Sequence, residues 1–147
     1  MAEQIVYLDS GALVKRYIKE DGTDIVDNIF RDAESNNAII YSSLWNIGEV
    51  TGVFDRYDRK NIVKLGDVLD KFLNEIERLG SKGSFEIVNI NYALIKEATN
   101  YVIKHHIYIA DALQIASCKS VGCNDFFTSD KNLNEAATKE KINSVLL

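Results

Sequence analysis

A three-layer α/β/α domain on a mainly parallel sheet of four to five strands is the fold class that this sequence predicts. Short apolar runs without polar alternation, such as Ile5-Val6-Tyr7-Leu8, suit strands covered on both faces. These runs alternate with longer segments whose apolar residues recur at helical spacing, giving repeated strand–helix units with right-handed crossovers. Proline is absent and glycine numbers only eight, so loops are short and Asn, Asp and Gly punctuate them.

The elements follow in order. The first strand, Ile5 to Leu8, ends at Asp9-Ser10 and passes into a helix from about Ser10 to Lys19, broken at Glu20-Asp21-Gly22. Thr23 is the expected N-cap of a second helix through about Glu34, with Ile25, Val26, Ile29 and Phe30 on one face. After the turn Ser35-Asn36-Asn37, Ala38 to Tyr41 is a second buried strand. Ser42 or Ser43 starts a third helix, Leu44 to about Arg59, and Asn61 to Leu79 is read as a fourth that forms a hairpin with it. The loop Gly80 to Ser84 leads into a third strand, Phe85 to Val88. Asn91 starts a fifth helix to about Lys104, and a sixth runs from Ile109 to about Lys119. Asp125 to Thr128 is a fourth strand, Asn132 to Lys139 a short helix, and Ile142 to Leu147 a candidate edge strand. No repeat or interdomain linker interrupts residues 1–147, and 46% apolar residues suit a single domain with a real core.

Bulk properties exclude several function classes. No apolar run of about 18 residues exists to span a membrane. Met1-Ala2-Glu3-Gln4 is short and acidic, unlike a secretory signal. Two cysteines, Cys118 and Cys123, are too few for a disulfide framework or a four-ligand zinc site, so reduced cytoplasmic thiols are expected. A net charge of −5 argues against general polyanion binding. It leaves room for a nuclease whose carboxylates hold cations, because the ions reverse the local field.

Four acids stand where such a layout gathers its chemistry. Open α/β sheets place their sites outside the carboxyl ends of the strands. Asp9 follows the first strand and Asp130 the fourth, while Asp111 opens the sixth helix and Glu49 lies in the third. Asp111 and Glu49 are both enclosed by apolar or small neighbours, where a carboxylate is rare unless paired or metal-bound. Each has an alternative: Asp9 and Asp130 as helix caps or turn residues, Asp111 as a dipole-favoured first-turn acid, Glu49 paired with Arg56 or Arg59. Together they favour a shared acidic site. Four ionised carboxylates need cations, and all-oxygen ligation selects Mg²⁺ or Mn²⁺ over zinc. Such a site suits phosphodiester hydrolysis. Ser10 and Thr128 are candidate substrate or metal contacts, with capping and turn bonds as the alternative. Lys15, Arg16 and Lys131 are candidate phosphate contacts, with a solvated face as the alternative.

Tyr7-Leu8-Asp9-Ser10-Gly11-Ala12-Leu13-Val14-Lys15-Arg16-Tyr17, the Glu49 helix, Ile109-Ala110-Asp111-Ala112-Leu113-Gln114-Ile115-Ala116 and Phe127-Thr128-Ser129-Asp130-Lys131-Asn132-Leu133 resemble, in order and spacing, the motifs of PIN domains. Within that family the chain is most similar to VapC-type toxins of toxin–antitoxin pairs. The resemblance implies a Mg²⁺- or Mn²⁺-dependent endoribonuclease acting on single-stranded RNA, with Asp9, Glu49, Asp111 and Asp130 as its acids. It also implies a homodimer and a cognate antitoxin that blocks the site. Gly11 and Glu140 depart mildly from the family pattern, and neither is one of the four acids.

His105 and His106 read as a helix-end pair, since adjacent helical positions diverge and no third soft ligand is evident. Trp45, Val53, Phe54 and Tyr57, in the hairpin of the third and fourth helices and all on the third, serve either the core or a partner surface. A competing function is a non-catalytic PIN-like binding or scaffold module. A receiver or phosphatase-like domain fits less well, because Gly11 stands where a second Asp is needed.

Overall fold

A computed structural model describes residues 3–147, which leaves Met1 and Ala2, and with them half of the N-terminal segment read above, outside the described residues. Five strands form one sheet: β1 (Gln4–Leu8), β2 (Ala38–Ser43), β3 (Phe85–Val88), β4 (Asp125–Thr128) and β5 (Ser144–Leu146). Their order is β3-β2-β1-β4-β5, and every neighbouring pair is parallel. The sheet is thus wholly parallel, with the expected edge strand as its fifth member.

Seven helices cover it: α1 (Ser10–Tyr17), α2 (Thr23–Glu34), α3 (Leu44–Arg59), α4 (Leu65–Ser81), α5 (Tyr92–His105), α6 (Ile109–Val121) and α7 (Lys131–Lys139). Strand geometry sends successive side chains to opposite faces. Val6 and Leu8 accordingly join a core with α1, α2, α3 and α4, centred on Phe54 and Phe72. Tyr7 joins the opposite core with α5, α6 and α7, stacked on Phe126 at a centroid distance of 5.3 Å. Each face is closed by helices, which is why these strands read as continuous apolar runs.

The chain winds from central β1 out to β3, then crosses back to β4 on the other side of β1. The carboxyl ends of β1 and β4 therefore flank the point where the winding reverses, the place for a ligand in such sheets. The Asp9 amide extends this seam by donating to the Phe127 carbonyl at 3.3 Å.

Three local expectations are corrected. Thr23 is the first residue of α2, and the cap position falls to Gly22 in the left-handed region (φ 91°). The Thr23 hydroxyl instead ties α2 to α1, donating to the Lys15 carbonyl at 2.8 Å. Helix α4 starts at Leu65, four residues later than its apolar spacing suggested, because Asn61 turns the chain (φ 58°) and Asp58 Oδ1 accepts from the Leu65 amide. Cys118 and Cys123, expected as separate reduced thiols, form a disulfide. Gly122 caps α6 with φ 63°, and the Cys123 amide returns to the Cys118 carbonyl at 3.2 Å, so the helix end itself brings the two residues together.

Candidate active site

Asp9 is the N-cap of α1, and its Oδ1 accepts from the Ala12 amide at 2.8 Å. Asp130 repeats this at α7, where Oδ1 accepts from the Asn132 and Leu133 amides at 2.8 and 3.1 Å. Capping and site chemistry thus do not compete here. Each cap fixes the carboxylate through its Oδ1, and the Thr128 hydroxyl adds a further contact to Asp9. Asp111 sits in the first turn of α6 and is half-buried. Glu49 projects from α3 and accepts from the Ser10 hydroxyl at 2.7 Å, while Arg59 pairs with Asp55 instead of Glu49.

The four acids form one electrostatic neighbourhood. Burial pushes the Asp9 carboxyl up to about 6, offset in part by the Thr128 hydroxyl and Ala12 amide and reinforced by Asp111 and Asp130. Burial likewise raises Asp111 to about 6, with Asp130 and then Glu49 adding to the shift. Asp111 and Asp130 line an open cavity of about 370 Å³; Asp9 and Glu49 do not. Among the described residues, no three acids stand close enough to grip an ion as they are.

Thr128 is fully buried, and its hydroxyl accepts from the Asp130 amide at 3.0 Å, shaping the turn that presents this acid. Lys15 and Arg16 are placed differently from the expected phosphate contacts. Lys15 is buried, bonded to Glu20 at 3.2 Å and to the Asp21 carbonyl at 2.7 Å. Arg16 pairs with Glu75 at 2.9 Å and with Asp27 at 2.8 Å. Both cations are committed within the helical layer, and neither lines the cavity.

The family model for the PIN domain matches residues 6–139, from within β1 to the end of α7. The chain belongs to the PIN domain family. No curated protein matches it. Among solved structures, this PIN domain is similar to VapC20 of Mycobacterium tuberculosis, described as a sarcin-ricin loop cleaving toxin, with a TM-score of 0.64 and 11% identity over 89% of this chain and 94% of that one. It is also similar to FitAcB of Neisseria gonorrhoeae, with a TM-score of 0.58 and 15% identity over 95% of each chain. A third is VapBC2 of Rickettsia felis, solved bound to a fragment of promoter DNA, with a TM-score of 0.57 and 14% identity over 98% of each chain.

Beneath the acids of this PIN domain lies a buried polar chain that the sequence did not reveal. Tyr7 donates to Gln114 Oε1 at 2.7 Å, and Asn46 Nδ2 donates to the same oxygen at 2.9 Å. Asn46 also donates to Ser42 Oγ at 2.7 Å, and Ser42 donates to the Leu8 carbonyl at 2.7 Å. Asn46 Oδ1 lies 3.0 Å from Ser10 Oγ, the group that holds Glu49. Strand β1, helix α3 and helix α6, which carry or precede Asp9, Glu49 and Asp111, are thereby joined through satisfied hydrogen bonds. The signal was a single polar residue inside an apolar stretch, as in Trp45-Asn46-Ile47 and Leu113-Gln114-Ile115.

Proposed function

We propose that this PIN domain is a Mg²⁺- or Mn²⁺-dependent endoribonuclease that cleaves single-stranded RNA, the VapC-type toxin of a type II toxin–antitoxin pair. The observation that carries the proposal is the uncompensated negative charge at the carboxyl ends of β1 and β4, where Asp9 and Asp130 cap their helices and the half-buried Asp111 adds to it. Buried Asp9 and half-buried Asp111 are pushed up to about 6 by burial and by neighbouring acids. A divalent cation relieves that cost directly. The donor set fits a hard ion: four carboxylates, two with an oxygen left over from helix capping. Asp9, Glu49, Asp111 and Asp130 would hold the metal, which supplies Lewis acidity and an activated water. Ser10 sets the position of Glu49, and Thr128 that of Asp130.

VapC and antitoxin–toxin complexes among the structural neighbours support a cognate antitoxin as partner. Leu44, Trp45 and Ile87 stand exposed along α3 and β3, an apolar rim that suits either the antitoxin or the second subunit of a homodimer. Among the described residues no helix is long and apolar enough to cross a membrane. A cytoplasmic location is part of the same proposal, since that is where a toxin acting on cellular RNA meets its substrate.

The wider spacing of the acids favours one rival, a metal-free binding module on the same fold. Cleavage of a labelled single-stranded RNA separates the two. Mn²⁺-dependent cleavage that stops with chelator and falls at least a hundredfold in Asp9→Asn and Asp111→Asn is expected. Full activity in those variants, or in chelator, overturns the proposal.

A further inference from the structure

The cavity that Asp111 and Asp130 line has a second wall of different chemistry. His106 and Tyr108 enter it from the corner between α5 and α6, and Asn132 and Lys139 from α7. Tyr108 is 84% exposed, yet it is no loose surface residue. Its carbonyl accepts from the Asp111 and Ala112 amides at 3.0 and 2.9 Å, so its main chain is the anchor of α6 three residues ahead of the acid. The corner behind it is fixed as well. His105 Nε2 bonds to Glu140 at 2.6 Å, and its ring stacks on Tyr101. His106 then turns the chain in the left-handed region, with φ 55°. Among the described residues neither the His106 nor the Tyr108 side chain has a hydrogen-bond partner.

A rigid corner thus presents a bare aromatic ring, at fixed spacing from a metal-seeking acid, in a cavity at the small end of ligand-site volumes. One nucleotide matches both ends: a phosphate for the acid and cation side, and a flat heterocycle for the ring. We propose that Tyr108 is the platform on which one base of the single-stranded RNA stacks, with Lys139, which lines the same cavity from α7, meeting the backbone. Stacking on aromatic side chains tolerates any base and requires it to be unpaired, which favours single strands over duplex. The idea rests on the ribonuclease proposal and identifies a substrate-positioning residue for it.

The test uses fluorescence anisotropy with a fluorescein-labelled single-stranded RNA hexamer of mixed sequence, and six copies each carrying one abasic site. Measured in Ca²⁺, it reads binding without requiring turnover. One abasic position should weaken wild-type binding about tenfold. Tyr108→Ala should weaken the intact hexamer to the same extent and abolish the penalty at that position. Tyr108→Phe and Tyr108→Trp should restore both, and in Mn²⁺ the alanine variant should raise KM more than it lowers kcat. Hexamer binding unchanged in Tyr108→Ala, equal penalties at all abasic positions, or no hexamer binding by the wild type overturns the platform; the first result would assign the ring to a protein contact. Base-dependent binding through Tyr108 without any Mn²⁺-dependent cleavage would instead sink the ribonuclease proposal and leave the platform standing.

Discussion

Asp9 shows most clearly how one residue combines a stabilising bond with a costly charge. Its Oδ1 caps α1, while burial and the neighbouring acids make its charge costly. The folded-state value of about 6 lies above the ordinary 3.8, so the native state holds the extra proton between those values. Stability of the metal-free protein should therefore fall as pH rises from about 4 to above 6. Asn keeps the capping oxygen and removes the charge. In chelator at pH 8, Asp9→Asn should be more stable than wild type by up to about 3 kcal/mol, a gain that vanishes near pH 4. Calorimetric melting across that range checks it, and an Asn variant less stable than wild type at pH 8 contradicts it. Glu140 shows the opposite balance. Burial works against its charge, but Lys104, Lys119 and His105 outweigh that and hold it at about 2. Its support for the α5–α6 corner is thus present above the ordinary carboxylate value of 4.5 and fades as pH falls towards 2.

At the scale of elements, the site depends on how α3 and α6 are pinned to β1. Asn46 is fully buried and is the hub of that joint, donating to both Ser42 and Gln114. Asn46→Ala leaves Gln114 Oε1 with Tyr7 as its one donor, removes the donor to Ser42 Oγ and frees Ser10 from its neighbour, at a cost of about 1–3 kcal/mol. Urea denaturation should read that loss, and Mn²⁺ titration of the still-folded variant should show affinity at least tenfold weaker. Wild-type Mn²⁺ affinity in a destabilised variant would reduce the joint to a purely structural role. Element boundaries were legible where turn residues enclose them. Strands β3 and β4 agree to the residue with the apolar runs that define them. Helix α4 was misplaced at its start because Ile62 fits the helical spacing yet lies 55% exposed in a turn that Asp58 closes. Nothing in the sequence marked the Cys118–Cys123 pair, since their approach depends on the left-handed cap at Gly122.

For the whole molecule, the strand order does the positioning. Central β1 and its neighbour β4 end side by side, so Asp9 and Asp130, which follow these strands, both stand at the reversal of the winding. That much was legible, because a residue following a parallel strand has a known place once strands and helices are ordered. The roles of Lys15 and Arg16 were not: their spacing from Asp9 suited a phosphate, but Glu20, Glu75 and Asp27 reach them only through tertiary packing. The same holds for Tyr108, whose exposure and rigid corner no linear pattern encodes. Convergence of the acids on one divalent ion is the central claim. Anomalous diffraction from a crystal soaked in Mn²⁺ tests it most directly. Density at the carboxyl ends of β1 and β4, in contact with Asp9, Asp111 and Asp130, is the predicted result; a map without density there, or with Mn²⁺ bound only elsewhere, would contradict it.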